Sequence, residues 1–344
     1  MFQMKYVRLG PTGTKVSQFA LGTWHLPGSG QYDSSRVEKV DQEGTAKIIK
    51  KAIDAGINFI DTANVYHGRM QDPDPQHAGN SERLLGEVLR GHDRDSLVLA
   101  TKVRGALASW PNGEGLSRKH ILWQARESLV RLQTSYVDLY QIHWPDSGTP
   151  KLETLRALNH LIDQGSVRYI GSSNHSAAEV EEFMQLANDH RLEGFVTLQE
   201  VYNLIERGVE KDLLPLAKKY GFAVLAYSPL AQGVLSEKYL QGIQNGTRAS
   251  YAPDIAKHYL NPQTLEAVRG IGEMARQKGV SLPQLALAWL LYKQEELGIT
   301  IIPLLGITRQ QYLDDGLGAL DVHLSPAEAK HMEDVSLNAN VLPW

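Results

Sequence analysis

The feature that most constrains the fold of this chain is a regular alternation of short apolar runs with helical patterns. The segments between the runs repeat apolar residues every three or four positions, and several of them start at Ser or Thr or stop at Gly. Strands that alternate with helices pair in parallel through helical crossovers, so the chain is predicted to be α/β. The predicted strands are residues 19–21, 57–60, 97–101, 137–142, 167–170, 195–198, 222–226 and 299–302.

The number of strand–helix units favours a closed (β/α)8 TIM barrel over an open doubly wound sheet. The open sheet usually carries G-x-G-x-x-G directly after its first strand, but here Gly22 is followed by Thr23-Trp24-His25. Residues 5–9 and 15–17 flank a Gly/Pro turn and predict an N-terminal β-hairpin. No linker or low-complexity segment divides the chain, so residues 1–344 are predicted to form a single domain.

Composition excludes several kinds of partner and chemistry. The chain has 35 Lys+Arg against 39 Asp+Glu, a net charge of −4, so no overall positive field favours nucleic acid or an anionic membrane. No apolar run approaches the roughly 18 residues of a transmembrane helix. The absence of cysteine excludes disulfides, thiolate metal sites and a cysteine nucleophile, and it suits a cytoplasmic protein.

Four side chains suited to acid–base chemistry are predicted to meet at one end of the barrel. Asp61, Lys102 and His143 each come at the end of an apolar strand, and Tyr66 follows in the loop after Asp61. The C-terminal ends of parallel strands form one face, where barrels of this kind keep their active sites. Each residue alone has a structural explanation, as a turn cap, a solvated strand end, a packed histidine or a loop tyrosine. Their joint occurrence favours a site.

The chemistry that this set supports is proton donation to a carbonyl oxygen. A tyrosine titrates near 10, which is too high for fast proton transfer at neutral pH. An ammonium about 4 Å away contributes roughly 4 kcal/mol at an effective dielectric near 20, or about three pKa units. We therefore expect Lys102 to lower the pKa of Tyr66, with Asp61 keeping Lys102 charged and offsetting part of the effect. His143 is expected to hydrogen-bond the carbonyl oxygen, and a cofactor must supply the hydride.

Short motifs along the chain give a specific resemblance. They are residues 21–24 (LGTW), 56–66, 100–102 (ATK), 140–143 (YQIH), 171–174 (GSSN), 199 with 202–203, 227–230 (YSPL) and 302–306 (IPLLG). With them the chain resembles the aldo-keto reductase family, in its aryl-alcohol dehydrogenase-like and channel β-subunit-like branches. The resemblance implies a barrel with the hairpin across its bottom, NADPH bound without a Rossmann domain, and an Asp–Tyr–Lys–His tetrad. The tetrad is carried onto Asp61, Tyr66, Lys102 and His143.

The same resemblance implies the cofactor site. Ser173, Asn174 and Gln199 are expected to bond the nicotinamide carboxamide, and Tyr227 is expected to stack on the ring. The full expected set is Gly22, Thr23, Trp24, Asp61, Ser173, Asn174, Gln199, Tyr227, Ser228, Pro229, Leu230, Gln232, Gly233, Leu235, Gly306, Thr308, Arg309, Tyr312 and Asp315. Thr308 and Arg309 open a helix, a place that suits a 2′-phosphate. NADPH is therefore expected, with NADH as the alternative because Tyr312 and the Asp315-Gly316 pair depart from the family pattern.

The substrate is expected to be a small carbonyl compound held by long loops on the same face. The residues expected to contact it are Trp24, His25, Tyr66, Trp110, His143 and Trp144. No metal is expected, because Asp72, Asp74 and His77 are separated by prolines and are typical of a solvated loop. The leading hypothesis is an NADPH-dependent reductase of aldehydes and ketones; the alternative is a cofactor-binding regulatory or sensing subunit with little turnover. The sequence does not identify the carbonyl compound, the preferred direction of the reaction, or whether the protein forms a homo-oligomer.

Overall fold

A computed structural model describes residues 4–32, 38–68 and 78–342. Its strands are β1 (Tyr6–Arg8), β2 (Lys15–Ser17), β3 (Ala20–Gly22), β4 (Gly28–Tyr32), β5 (Glu38–Val40), β6 (Phe59–Asp61), β7 (Val98–Val103), β8 (Val137–Ile142), β9 (Val167–Ser173), β10 (Phe195–Val201), β11 (Ala223–Tyr227) and β12 (Ile301–Gly306). Eight of them close into a barrel in the order β10-β11-β12-β3-β6-β7-β8-β9, and every neighbouring pair is parallel. The predicted (β/α)8 barrel is confirmed.

Helices surround this barrel and connect its strands. They are α1 (Gln42–Asp54), α2 (Asn80–Val88), α3 (Arg118–Leu132), α4 (Lys151–Asp163), α5 (Ala177–His190), α6 (Leu213–Tyr220), α7 (Arg248–Tyr251), α8 (Pro253–Tyr259), α9 (Pro262–Lys278), α10 (Leu282–Leu297), α11 (Gln310–Gly318) and α12 (Pro326–Ser336). Within the described ranges, no helix is long and apolar enough to cross a membrane.

Side chains along each strand alternate between the barrel interior and the helix layer, as the pleat requires. In β7, Val98 and Ala100 join the interior cluster. Leu99 and Val103 pack with the apolar faces of the surrounding helices instead. The same alternation directs Lys102 into the barrel at the C-terminal end of β7, where a buried cation needs a partner.

The N-terminal hairpin covers the end of the barrel where the strands begin. β1 and β2 pair antiparallel, with Val7 opposite Val16. Leu9 and Val16 are fully buried in the interior cluster. Gly10 has φ +60°, and a Cβ there would lie 2.1 Å from the carbonyl oxygen of Val196, at the start of β10. Only glycine fits this approach, so the hairpin turn sits directly on the barrel floor, as the sequence predicted.

Two long connections on the opposite face contain structure that the sequence analysis had treated as loop. β4 and β5 form an antiparallel pair between β3 and α1. The short helices α7 and α8 lie in the connection after β11. Both connections leave the C-terminal ends of barrel strands, so they border the face on which the candidate site lies.

Candidate active site

Three of the predicted site residues meet inside the C-terminal mouth of the barrel. Lys102 Nζ lies 2.5 Å from Asp61 Oδ2 and 3.1 Å from Tyr66 Oη. It also donates to the carbonyl oxygen of Thr62 at 2.9 Å, so all three of its protons have acceptors. The Lys102 side chain is fully buried. The buried Lys102 ammonium therefore contacts both the Asp61 carboxylate and the Tyr66 phenol, the predicted proton donor.

The loop that carries Tyr66 is hydrogen-bonded to the backbone of β7. Its backbone donates from Thr62 N to Ala100 O at 2.9 Å and from Asn64 N to Lys102 O at 3.2 Å. The carbonyl oxygen of Tyr66 accepts from Ser81 N at 3.1 Å. The loop therefore continues the strand pairing beyond β6, which fixes the direction of the phenol.

The electrostatics differ from expectation at one point. Burial, together with the Asp61 carboxylate, raises the pKa of Tyr66 by more than the Lys102 ammonium lowers it, so the net shift is upward and not downward as predicted. For Lys102, burial lowers the pKa, but Asp61 and then Tyr66 raise it more. The site therefore holds a protonated phenol beside a charged ammonium at neutral pH.

Asp61 is fixed by two amides that reach it across the barrel, from β8 and β10. Gln141 Nε2 donates to Asp61 Oδ1 at 3.1 Å, and Gln199 Nε2 donates to the same oxygen at 2.9 Å. The sequence analysis missed Gln141. The strand period offered a signal, because Gln141 lies two residues after Leu139, which faces the barrel interior. Gln199, expected at the cofactor carboxamide, directs its amide nitrogen to Asp61.

His143 follows β8 and is buried beside the tetrad tyrosine. Its ring meets the Tyr66 ring edge-on, with 5.7 Å between centroids. Burial, then the charges of Lys102 and Arg104, hold the pKa of His143 well below its ordinary value. The imidazole is therefore neutral at physiological pH, and it can donate only one N–H. Its Nδ1 is buried without a hydrogen-bond partner among the described residues.

The residues expected at the nicotinamide lie together around the ends of β9 to β11. Asn174 Nδ2 donates to the carbonyl oxygen of His143 at 2.9 Å and to Ser173 Oγ at 3.0 Å. Asn174 Oδ1 accepts from Tyr227 Oη at 2.9 Å. Asn174 also has φ +59°, a conformation that asparagine tolerates better than most residues.

The segment after β11 has an unusual backbone. Ser228, Ala231 and Gln232 are non-glycine residues with positive φ, at 49°, 47° and 59°, and Gly233 follows at 92°. The turn is closed by Gly233 N to Leu230 O at 2.9 Å, with further bonds around it. Successive residues of this kind turn backbone N–H groups toward a common centre, which is how anion-binding nests are built. The expected set Ser228, Pro229, Leu230, Gln232, Gly233 and Leu235 lies here.

Two cations converge on this turn that the sequence analysis did not identify. Arg248, from α7, donates through Nη1 to Gln232 Oε1. Lys238 Nζ lies 3.2 Å from Tyr312 Oη and 4.9 Å from the centroid of its ring. Burial lowers the pKa of Arg248, which marks a partly desolvated cation. Their clustering beside the 228–233 turn is visible only in three dimensions.

The other expected cofactor residues lie at neighbouring strand ends. Gly22 pairs with Asp61 on one side and with Gly306 on the other. Thr23 donates from both its backbone nitrogen and its hydroxyl to Asp61 O. Arg309, directly after Thr308, is the N-cap residue of α11.

Asp315 lies farther along α11 and accepts from the N-cap Ser281 of α10 at 3.2 Å.

Two of the tryptophans predicted to contact the substrate, Trp24 and Trp144, lie beside the tetrad and are partly exposed. Trp144 stacks on His143 with 3.6 Å between centroids, and Trp24 lies 6.4 Å from Tyr66. Trp24 also contacts His25 at 4.2 Å and is 44 % exposed. The structure does not bring the predicted Trp110 to the tetrad: its ring packs on Trp123 of α3, 5.8 Å away.

The acidic loop considered for a metal lies outside the described residues, since Asp72, Asp74 and His77 fall between 68 and 78. Among the residues that the structure does describe, no group of three or more His, Asp or Glu side chains is arranged to hold a metal ion.

The sequence profile of the aldo/keto reductase family matches residues 18–336, nearly the whole chain. The chain belongs to the aldo/keto reductase family. Members of this family carry out NAD(P)H-dependent oxidation and reduction of carbonyl compounds and alcohols.

Several proteins of known name align with this chain along almost their full lengths. A Schizosaccharomyces pombe protein named as a voltage-gated potassium channel subunit beta is 37 % identical over 337 residues, 95 % of this chain and 92 % of its own. The L-glyceraldehyde 3-phosphate reductase of Escherichia coli (strain K12) is 32 % identical, over 93 % of this chain and 88 % of its own. A Saccharomyces cerevisiae protein named as an aryl-alcohol dehydrogenase is 30 % identical over 97 % of both chains.

Proposed function

We propose that this aldo/keto reductase reduces aldehydes or ketones to alcohols, with Tyr66 as the proton donor. The observation that carries the proposal is the position of Lys102 Nζ, 3.1 Å from Tyr66 Oη and 2.5 Å from Asp61 Oδ2. NADPH, when bound, would supply the hydride for the carbonyl carbon. The chain itself supplies the proton, the orientation of the carbonyl group and a site from which water is excluded.

Tyr66 donates its proton when negative charge develops on the carbonyl oxygen. Its raised pKa keeps the phenol protonated at neutral pH until that moment. The phenolate that remains lies beside the Lys102 ammonium, whose charge stabilises the product of proton transfer more than the neutral phenol. Asp61 holds Lys102 in position and keeps it protonated. Lys102 therefore acts by stabilising the phenolate that remains after proton transfer.

His143 orients the carbonyl oxygen. A neutral imidazole donates one N–H, and Nδ1 is enclosed without a partner among the described residues. We assign the donating N–H to Nε2. A neutral donor suits this position, because an imidazolium would add a second buried cation next to Lys102 and would compete with Tyr66 as the acid.

The cofactor fits a chain of side chains that runs from the tetrad to α11. Asn174 is held by the hydroxyls of Ser173 and Tyr227 at the nicotinamide end. The 228–233 turn would hold the diphosphate, with Arg248 and Lys238 as its cations. A partly desolvated arginine beside a backbone nest favours an anionic ligand.

The adenosine end supports NADPH over NADH. Arg309, with Thr308 before it, begins α11 and would hold a 2′-phosphate. Tyr312 would stack on adenine, and the Lys238 ammonium lies against the same ring, 4.9 Å from its centroid. We expect a lower KM for NADPH than for NADH, and Arg309→Ala is expected to raise the KM for NADPH while changing that for NADH little.

The second candidate is a cofactor-binding regulatory subunit with little turnover. It is favoured by the likeness to a protein named as a potassium channel β subunit. The relatives named as a glyceraldehyde phosphate reductase and an aryl-alcohol dehydrogenase favour catalysis. The tetrad geometry is compatible with both, so turnover decides between them.

A spectrophotometric screen tests the proposal. NADPH and NADH oxidation would be followed with aromatic, aliphatic and sugar-derived aldehydes, and cofactor binding would be measured separately by quenching of protein fluorescence. We expect steady turnover on the order of 1 s⁻¹ or more with at least one aldehyde class. Tight cofactor binding without any aldehyde-dependent oxidation would contradict the reductase and support the regulatory subunit.

A further inference from the structure

Arg104 lies two residues after Lys102 and has no part in the mechanism proposed above. It has φ 134°, a backbone conformation that side-chain-bearing residues rarely adopt. Its carbonyl oxygen accepts from Gly115 N at 2.9 Å. At the next residue, Gly105, a Cβ would lie 1.9 Å from Val65 Cγ1, so this loop packs directly on the loop of Tyr66. The backbone of Arg104 is therefore held beside the loop of Tyr66.

The positive charge of Arg104 reaches the reacting groups. It contributes to the lowered pKa of His143, after burial and Lys102, and it also lowers the pKa of Asp146. Asp146 does not neutralise it with an ion pair, because its carboxylate oxygens accept from Leu116 N, Gly148 N and the hydroxyl of Thr149. His143 N donates to Val103 O at 2.9 Å, so Arg104 follows directly on the backbone pairing that carries His143.

The guanidinium of Arg104 is incompletely paired. Its Nε is buried and has no hydrogen-bond partner among the described residues. Nη1 lies 3.5 Å from Glu114 Oε2, and the Glu114 side chain is 59 % exposed against 33 % for Arg104. A long contact to an exposed acid is a weak ion pair. The Nε–H belongs to the edge of the guanidinium, formed with Nη2, that binds carboxylates and phosphates with two parallel bonds.

We infer that Arg104 is a specificity residue that binds an anionic group, a carboxylate or a phosphate, on the carbonyl substrate. The inference rests on the proposed function, since it names the substrate class of the same site. A buried donor left without a partner is unfavourable, and an anion beside it is favoured over a neutral group of the same shape. Glu114 then acts as a weak internal competitor that the substrate displaces.

Matched substrates test this inference. One arm compares 4-carboxybenzaldehyde with methyl 4-formylbenzoate, and the other compares 4-formylphenyl phosphate with 4-methoxybenzaldehyde. In each arm the readout is the ratio of kcat/KM for the anion to kcat/KM for its neutral partner, so general damage to a variant cancels. In Arg104→Gln we expect the ratio to fall about tenfold or more in at least one arm, mainly through KM. The arm that responds identifies the anion.

Two further variants keep the test decisive. Glu114→Gln removes the competing acid and is expected to raise the same ratio by roughly two- to fivefold. Arg126→Gln serves as the matched control, because Arg126 lies on α3 with its side chain 72 % exposed; it should leave the ratio unchanged. Turnover of the neutral partners with a ratio that Arg104→Gln does not alter would overturn the inference and leave the reductase standing. No NADPH oxidation with any of the four compounds would overturn the inference. It would contradict the proposed function as well only if the aliphatic and sugar-derived aldehydes of the screen also gave none.

Discussion

Replacing Lys102 with methionine should separate its two effects, on the phenolate and on the buried carboxylate. Lys102 Nζ lies 3.1 Å from Tyr66 Oη. At an effective dielectric near 20 this distance corresponds to about 5 kcal/mol of attraction for the phenolate. Asp61, on the other side of the ammonium, opposes the phenolate charge and offsets roughly half of that. The loss in Lys102→Met is therefore expected to be about 100-fold in kcat, since about 1.4 kcal/mol corresponds to each factor of ten.

The same substitution leaves the Asp61 carboxylate buried in the barrel without its cation. Asp61 would keep only the amides of Gln141 and Gln199. Removing one partner of a buried ion pair typically lowers the free energy of unfolding by about 3–5 kcal/mol. In the double variant Lys102→Met/Asp61→Asn no charge is stranded. We expect it to regain most of the lost stability but none of the lost kcat.

The assay combines steady-state reduction of 4-nitrobenzaldehyde at saturating NADPH with urea unfolding of the wild type and both variants. A kcat for Lys102→Met within a few fold of wild type would refute the role of the ammonium in stabilising the phenolate. A double variant as unstable as Lys102→Met would refute the stranded-carboxylate explanation.

Three more predictions concern the surroundings of the site. Burial raises the pKa of Glu200 from 4.5 to about 8, so stability present below pH 4.5 is lost as the pH rises to about 8. Glu200→Gln should remove up to about 5 kcal/mol of this pH dependence, measured by urea unfolding near pH 5 and about pH 8.5. Gly105→Ala places its Cβ 1.9 Å from Val65 Cγ1; the shifted Tyr66 loop should lower kcat about 100-fold, whereas an unchanged kcat would show that the loop can yield. Arg131→Met leaves the buried Glu82, now paired at 2.6 Å, without its cation; urea unfolding should show a loss of about 3–5 kcal/mol.

Apolar periodicity was enough to predict the barrel, and its failures have a physical cause. The predicted strand 137–142 coincides with β8. The predicted strand 167–170 is too short, because β9 continues through Gly171 to Ser173 with small and polar residues at its C-terminal end. A strand that carries chemistry at its C-terminal end loses its apolar signal there. Pattern reading therefore shortens strands at the functional end.

β4 and α7, in the long connections, were not predicted because neither has an apolar pattern that marks it. β4 is Gly28–Tyr32 with every residue exposed, so no apolar alternation marks it. α7 covers only Arg248–Tyr251, too short for a helical period. β4 depends on its pairing with β5, and α7 depends on contacts with neighbouring side chains. Arg248, for example, is placed by Gln232 and by the ring of Trp24, 5.6 Å away.

The sequence predicted which residues form the tetrad, but not which side chains each of them contacts. Asp61, Tyr66 and Lys102 lie together as strand ends required. Which face each neighbouring side chain takes, and what it touches there, depends on register and burial, so Gln141 and Arg104 were not identified. The sign of the Tyr66 pKa shift was predicted wrongly for the same reason. A pairwise Coulomb estimate contains the ammonium but not the desolvation of the phenol, and here desolvation is larger.

The most direct test of the central claim is aldehyde reduction by the Tyr66→Phe variant, followed by NADPH absorbance. Phenylalanine keeps the ring beside His143 and removes only the hydroxyl that contacts Lys102. We predict that kcat falls by about 1,000-fold or more, while NADPH still quenches protein fluorescence with wild-type affinity. Turnover near the wild-type rate would contradict the assignment of Tyr66 as the proton donor.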